Sequence, residues 1–156
     1  MGSTNDALRR IRGVADYQFG RGIGCALFPE SVEVQFSRAT GRIRYVNLKG
    51  ERLATLRPTD GLLSLSVIAA RFMVERLGFM RYLVTVRSDV AKFVADGGDV
   101  FAVHVVKVDD CVRAKDEVVV VDESGRVVGV GRALLSSSEM CAFKTGVAVK
   151  VRHGCG

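Results

Sequence analysis

The sequence predicts an α+β protein in two parts: a small α/β-sheet domain over residues 1–79, then a mixed pseudo-β-barrel domain over residues 80–156. Three observations predict it. Apolar residues make up 48% of the chain, enough for a sizeable core, and valine is abundant while Trp is absent, a balance that favours β structure. Short stretches of alternating apolar and polar residues recur between Gly, Pro and Asp turns. Helical spacing appears in only a few places, two of which bracket the first group of strands.

In chain order, Leu8, Ile11, Val14 or Ala15, and Phe19 recur at helical spacing. Gly20, Gly22 and Gly24 end that helix in a loop that either brings backbone amides to a phosphate or only turns the chain. Ser31–Ser37 alternates as a half-buried strand. Residues 41–50 form a second strand with Arg42, Arg44 and Asn47 on its open face or rim. Lys49 and Gly50 turn into Arg52–Arg57, and Pro58–Gly61 turns into Leu62–Ser66. A helix over Val67–Leu77 closes at Gly78.

The texture changes at Tyr82. A strand over Tyr82–Val86 is followed by a helix over Asp89–Ala95 with Ser88 placed as its cap, then a tight loop at Asp96–Asp99. Val100–Lys107 reads as a strand and Asp109–Asp110 as a turn. Asp116–Val121 and Arg126–Leu134 form a hairpin, and the last strand runs from Gly146 to Arg152. Short strands in this number close into a small mixed barrel, which removes exposed sheet edges. Gly129 and Gly131 follow valines as a phosphate-binding loop would, but the dinucleotide fingerprint needs a third glycine where Leu134 stands, and no Gly-Lys-Ser/Thr exists. Their plainer reading is a bulge or bend in a strand. Ser136 and Glu139 have the spacing of a capping box.

The net charge of +6 is uneven: residues 1–80 carry 12 basic and 7 acidic side chains, residues 81–156 carry 11 and 10. Most of the cations are Arg, whose guanidinium forks onto phosphate. A basic half points to a polyanion, nucleic acid first, with an ion-pair-rich surface as the alternative. Cys25, Cys111, Cys141 and Cys155 are scattered without a Cys-x-x-Cys, so a zinc ribbon is not expected; a Cys111–Cys141 pairing stays open. His104 and His153 form no ligand set with them, and His104, within a valine-rich strand, reads as a structural residue rather than a metal ligand. No metal and no cofactor are expected. No apolar run approaches a membrane span, and Met1–Asp6 reads as a soluble terminus, so the expectation is a cytoplasmic protein without a membrane partner.

Four segments in order now bring a family into view: DGGDVFA over 96–102, VRAKDEVVVV over 112–121, GVGRA over 129–133 with SSEM over 137–140, and GVAVKVRH over 146–153. Together they resemble the PUA domain, named for pseudouridine synthase and archaeosine transglycosylase. Upstream, ADYQFG over 15–20, GRIR over 41–44 and LRPTDG over 56–61 are similar to the domain that precedes PUA in archaeal tRNA-guanine transglycosylases. The resemblance covers nearly the whole chain and implies that Gly129 and Gly131 are the family's barrel-bend glycines. The family's catalytic barrel, its aspartate nucleophile and its zinc site have no counterpart here, so the chain is not expected to be an enzyme.

The resemblance implies RNA as partner, tRNA at its acceptor stem and 3′ end, held through the first helix of the barrel domain, the glycine loop after it, and the last strand. The matching positions are Lys92, Gly97, Gly98, Val100 and Phe101, then Val149, Lys150, Val151, Arg152 and His153, with Arg132 beside them. Glycines let backbone approach a sugar-phosphate chain, and the cations meet phosphates in a salt-dependent, sequence-blind way. The alternative is that the two valines are core and the charged pair Lys150 and Arg152 is solvated. Relatives often carry a basic residue where Val103 or His104 stands, which puts a contact from that strand in doubt. Arg42, Arg44, Arg52 and Arg57 are candidates in the first domain, or members of ion pairs. A catalytic subunit of a tRNA-modifying enzyme is a second expected partner. A protein-interaction adaptor in RNA modification or ribosome assembly is the competing function; an enzyme using Asp60, Asp109, Asp110 or Asp122 is weaker, since none has a visible base or metal partner.

Overall fold

The structure, a computed structural model, describes residues 4–156; residues 1–3, part of the segment read above as a soluble terminus, lie outside the described residues. The chain is α+β. It divides into two compact units, one ending at Ala69 and the other starting at Ala70. The first holds a four-stranded sheet and the second a six-stranded mixed sheet that curls into a nearly closed barrel.

In the first unit, helix α1 (Thr4–Phe19) buries Leu8, Ile11, Ala15 and Phe19 along one stripe. The expected glycine loop contains a second, short helix, α2 (Ile23–Leu27). Gly24 is required there by proximity: a Cβ on it would sit 2.2 Å from the carbonyl oxygen of Arg12. The Gly24 amide donates to Asp16 Oδ1 at 2.7 Å, and Arg12 Nε donates to the Phe28 carbonyl at 2.9 Å. Asp16 thus occupies a backbone amide that the phosphate reading needed free.

Strands β1 (Glu33–Phe36), β2 (Ile43–Leu48), β3 (Glu51–Leu56) and β4 (Leu63–Leu65) form an antiparallel meander. Val34, Val46, Ala54 and Leu65 stand in register, the last three of them buried. The register slips between β1 and β2, with Gln35 opposite Tyr45 but Phe36 opposite Ile43, which makes Arg44 the extra residue of a bulge. The outer edge of β4 is closed by a side chain: Gln18 of α1 accepts from the Leu63 amide at 2.8 Å and donates to the Leu63 carbonyl at 2.9 Å, as a neighbouring strand would.

Helix α3 (Val67–Arg71) runs on as a π-helical turn, Phe72–Arg76, and the chain turns at Gly78 with φ 68°. Strand β5 (Leu83–Val86) follows Tyr82, whose own φ of 58° is unusual for a bulky residue. That corner is tied by Asp109, whose Oδ2 accepts from the Tyr82 amide at 2.7 Å and from Cys111 Sγ at 2.9 Å. Burial disfavours the Asp109 carboxylate, but these donors and the Cys111 amide, with the nearby charge of Arg81, outweigh it and hold its pKa below the ordinary value.

Ser88 does not cap the next helix. It opens a 3-10 turn (Ser88–Val90) before α4 (Ala91–Ala95), and its amide donates to Glu123 Oε2 at 3.0 Å. The strand expected across Val100–Lys107 is broken into β6 (Val100–Phe101), a 3-10 turn (Ala102–His104) and β7 (Val105–Val108). A uniform apolar run carries no mark of such a break. It matters, because β6 and β7 are the two edges of the sheet ordered β6-β10-β9-β8-β5-β7, and this one turn carries the chain between them.

Strand β8 (Glu117–Val121) is buried at every position and lies between β5, to which it is parallel, and β9 (Val127–Ala133). Helix α5 (Ser137–Ala142) starts with the full capping box: the Glu139 amide donates to Ser136 Oγ at 3.3 Å and the Ser136 amide to Glu139 Oε1 at 2.9 Å. The last strand, β10 (Val147–Gly154), crosses β9 so closely that a Cβ on Gly131 would lie 2.2 Å from the Lys150 carbonyl oxygen, and one on Gly129 3.1 Å from that of His153. Those two glycines serve strand packing. The core beneath is largely valine, from Val84 and Val86 to Val149 and Val151, with Met140 of α5 as its largest member.

Two outcomes are expected in urea unfolding at neutral pH. Gly13→Ala, in the exposed interior of α1 with nothing within 4 Å of the added methyl, stabilises by about 0.5–1 kcal/mol, whereas Gly24→Ala destabilises by about 1–3 kcal/mol. Asp109 sets an acid limb. Because its folded pKa is lowered, its contribution is fully present above the ordinary carboxylate value of about 4 and is lost as pH falls through the folded value. Asp109→Asn removes that part of the acid dependence of the unfolding midpoint.

Candidate nucleic-acid interface

In the second unit, α4, the loop after it and β6 place five of the predicted residues. Lys92 projects into solvent, 3.4 Å from Asp96 one turn on. Gly97 adopts φ 102°, with nothing within 4 Å of where a Cβ would stand. Gly98 differs: a Cβ there would fall 2.2 Å from the ring of Phe93, which covers it. Val100 is buried, so its side chain belongs to the core, while Phe101 is exposed, its ring edge-to-face with His104 at 6.1 Å.

The other predicted residues come from β9 and β10. Arg132 stands opposite Lys150 on one side and Glu117 on the other, so all three share the outer face of the sheet. Val149 and Val151 point into the core, while Lys150, Arg152 and His153 are exposed. Asp99 binds this strand twice, accepting from Lys150 Nζ at 3.3 Å and from the Val151 amide at 3.0 Å. Arg152 makes a two-pronged ion pair with Glu117, whose side chain has no exposure while that of Arg152 keeps 31%. Of these four cations, Lys92, Lys150 and Arg152 each face a carboxylate, and Arg132 pairs with none among the described residues.

These pairs differ in kind. Those of Lys92 and Lys150 are solvent-exposed and hold by about 0–1 kcal/mol, so either lysine is free to turn to a phosphate. The Glu117–Arg152 pair is another matter, because removing the cation strands a buried charge. Glu117 was not among the residues singled out from the sequence; its only signal is an acidic residue heading an otherwise all-valine strand. Phe93, exposed above Gly98, was missed as well, because helical spacing does not tell which aromatic leans on a loop.

In the first unit the arginines separate. Arg42 is exposed where β2 begins. Arg44, at the bulge, lies over Tyr45 at 5.4 Å, and Arg52 stacks on the same ring at 3.6 Å while donating from Nε to Asn47 Oδ1 at 3.0 Å. The hydrogen bond from Arg44, then its charge and that of Arg52, lower the Tyr45 phenol pKa. Arg57 is paired with Asp60 at 2.9 Å. Three of the four carboxylates of the enzyme alternative are engaged in turns: Asp60 accepts from the Leu62 amide, Asp109 from Tyr82, and Asp122 from Ser124 and the Arg126 amide. Cys111 and Cys141 are both free thiols, so the pairing left open is absent. Among the described residues no group of three or more His, Cys, Asp or Glu is placed to hold a metal, and no helix is long and apolar enough to cross a membrane.

Comparison with known proteins matches residues 9–79 to the patch-forming domain C2 of tRNA-guanine transglycosylase and residues 82–155 to the PUA domain. The chain is 41% identical over 149 residues to the tRNA-guanine(15) transglycosylase of Thermococcus kodakarensis, covering 96% of this chain and 25% of that protein. It is 37% identical over 149 residues to that of Methanobrevibacter smithii, covering 96% and 23%. The chain therefore spans about a quarter of the length of the curated relatives it matches. Among solved structures, a hypothetical protein of Pyrococcus horikoshii superposes with a TM-score of 0.76 at 26% identity, over 98% of this chain and 92% of that one.

Arg152→Ala is expected to destabilise the second unit by about 3–5 kcal/mol, since Glu117 is left buried without its cation, while Lys150→Ala changes stability by no more than about 1 kcal/mol. Urea titration of the two variants side by side checks the difference.

Proposed function

This chain carries the C2 domain of tRNA-guanine transglycosylases joined to a PUA domain, and from that premise we propose that it is a non-catalytic RNA-holding protein whose ligand is tRNA at the acceptor stem and 3′ end. The observation that carries the proposal is the outer face of β9 and β10, where Arg132, Lys150, Arg152 and His153 are exposed together in the domain matched to PUA. Guanidinium and ammonium groups on a rigid sheet, next to a glycine loop with little side-chain bulk at Gly97, suit a sugar-phosphate backbone. Affinity of this kind reads A-form shape and charge more than sequence. The relatives are named for a tRNA-modifying activity; in this reading the chain supplies RNA binding to such chemistry in the cytoplasm, beside a catalytic partner.

A second reading, a protein-interaction adaptor, draws on three exposed apolar residues close in sequence: Phe101, Val103 and Val106. Single exposed apolar side chains mean little, but a run of them is what a docked partner covers.

Arg132 is the residue to change, because Arg152→Ala mixes loss of contact with loss of fold. Fluorescence anisotropy with total tRNA, with its 3′ end intact or trimmed, is run across a salt series. The expected result is binding that weakens with salt and with trimming, and a log–log salt slope that falls by about 1 in Arg132→Ala. Flat curves at low salt sink RNA binding by this chain and leave the adaptor reading.

A further inference from the structure

The first unit contains a groove of about 830 Å³ that the RNA reading does not use. It lies where the first half of α1 crosses the end of the sheet. Its floor is aliphatic: Ile11 and Val14 from α1, Ile43 from β2 and Leu56 from β3. Phe36, the last residue of β1, is 45% exposed at its wall. Arg9, Arg10 and Arg42 stand on the rim, all exposed and none in an ion pair among the described residues. Asp6 is the sole carboxylate among the lining residues described.

We propose that this groove is a docking site for an acidic segment of another protein, one that carries bulky apolar side chains between aspartates or glutamates. Charge complementarity and the floor select this occupant together. Three arginines against one aspartate call for an anionic partner, and Arg forks onto carboxylates in two-pronged pairs. The floor then discriminates among anions. An RNA duplex offers sugar, phosphate and base edges and nothing apolar to fill an aliphatic cleft; a single strand prefers aromatic platforms, and Phe36 is the only ring among the lining residues described. Leucine or phenylalanine side chains, by contrast, bury against Val14, Leu56 and Phe36 and gain from leaving water. The volume falls within the roughly 300–1,000 Å³ of established binding clefts. The proposal stands independently of RNA binding by the second unit.

The test uses the whole chain and three fluorescent probes: a short peptide alternating leucine and phenylalanine with aspartate and glutamate, the same peptide with serine at every apolar position, and oligouridylate. The first probe is expected to bind and the serine peptide to fail. The double variant Arg10→Glu with Arg42→Glu weakens the first probe by about tenfold or more. Phe36→Ser weakens it as well, whereas Lys49→Asp, a similar charge change at the turn between β2 and β3, leaves it unaltered. All of these positions are exposed, and thermal melting verifies that each variant is folded. Three results overturn the proposal: no binding of the first probe, equal binding of the serine peptide, or oligouridylate binding that the same groove variants abolish.

Discussion

The second unit is organised around a carboxylate that has no access to water. Glu117 begins β8, the most buried strand of the chain, and every residue after it in that strand is valine. Taking such a group out of water costs several kcal/mol unless a cation meets it in good geometry. Arg152 does so with both guanidinium prongs, from a strand 35 residues further along. For that to happen, β10 must reach β9 in the register that puts Lys150 opposite Arg132, which in turn stands opposite Glu117. Gly131 lets the two backbones approach at that point, and the slip between Val151 and His153 turns the end of β10 across Gly129. Pair, register, glycines and bulge are therefore a single arrangement.

The same arrangement limits how the face can meet a polyanion. Arg152 balances an internal charge first, and whatever it offers outward comes from the third of its side chain left exposed. Lys150 and Lys92 hold their carboxylates loosely, through solvent-exposed pairs that a phosphate can replace. Arg132 gives up nothing to turn outward. The positive character of the surface is thus graded from residue to residue, and a count of lysines and arginines overstates it.

Much of this was legible in the sequence. Helical spacing located α1, alternation located the meander and the hairpin, and the Ser136–Glu139 spacing marked the start of α5. What escaped depends on neighbours remote in the chain. The strand expected over Val100–Lys107 breaks because the barrel has to close there, and an apolar run reads alike in either state. The glycines at 20, 22 and 24 suggested only a turn or a phosphate loop, since the reason for Gly24 is the backbone of Arg12 twelve residues earlier. Residue types at the candidate interface were visible, but their partners were not: nothing local in DEVVVV says that its glutamate meets an arginine of the final strand. Arg42 and Arg44 were read onto one face or its rim by period-two reasoning, and the bulge at Arg44 interrupts that period.

The two sheets end differently. In the second unit both outermost strands run into the same short turn, Ala102–His104, so neither presents a long row of unused amides and carbonyls to a stranger. In the first unit β4 is covered by the Gln18 carboxamide, but β1 lies at the other border of the sheet with Glu33, Gln35 and Phe36 exposed. Among the described residues no strand pairs with that border; an edge of this kind templates pairing with another chain, and a charged side chain on it is a common safeguard. Glu33 is the charged residue of that strand, so self-association at high concentration is expected to begin at β1, and a neutral residue at 33 to hasten it.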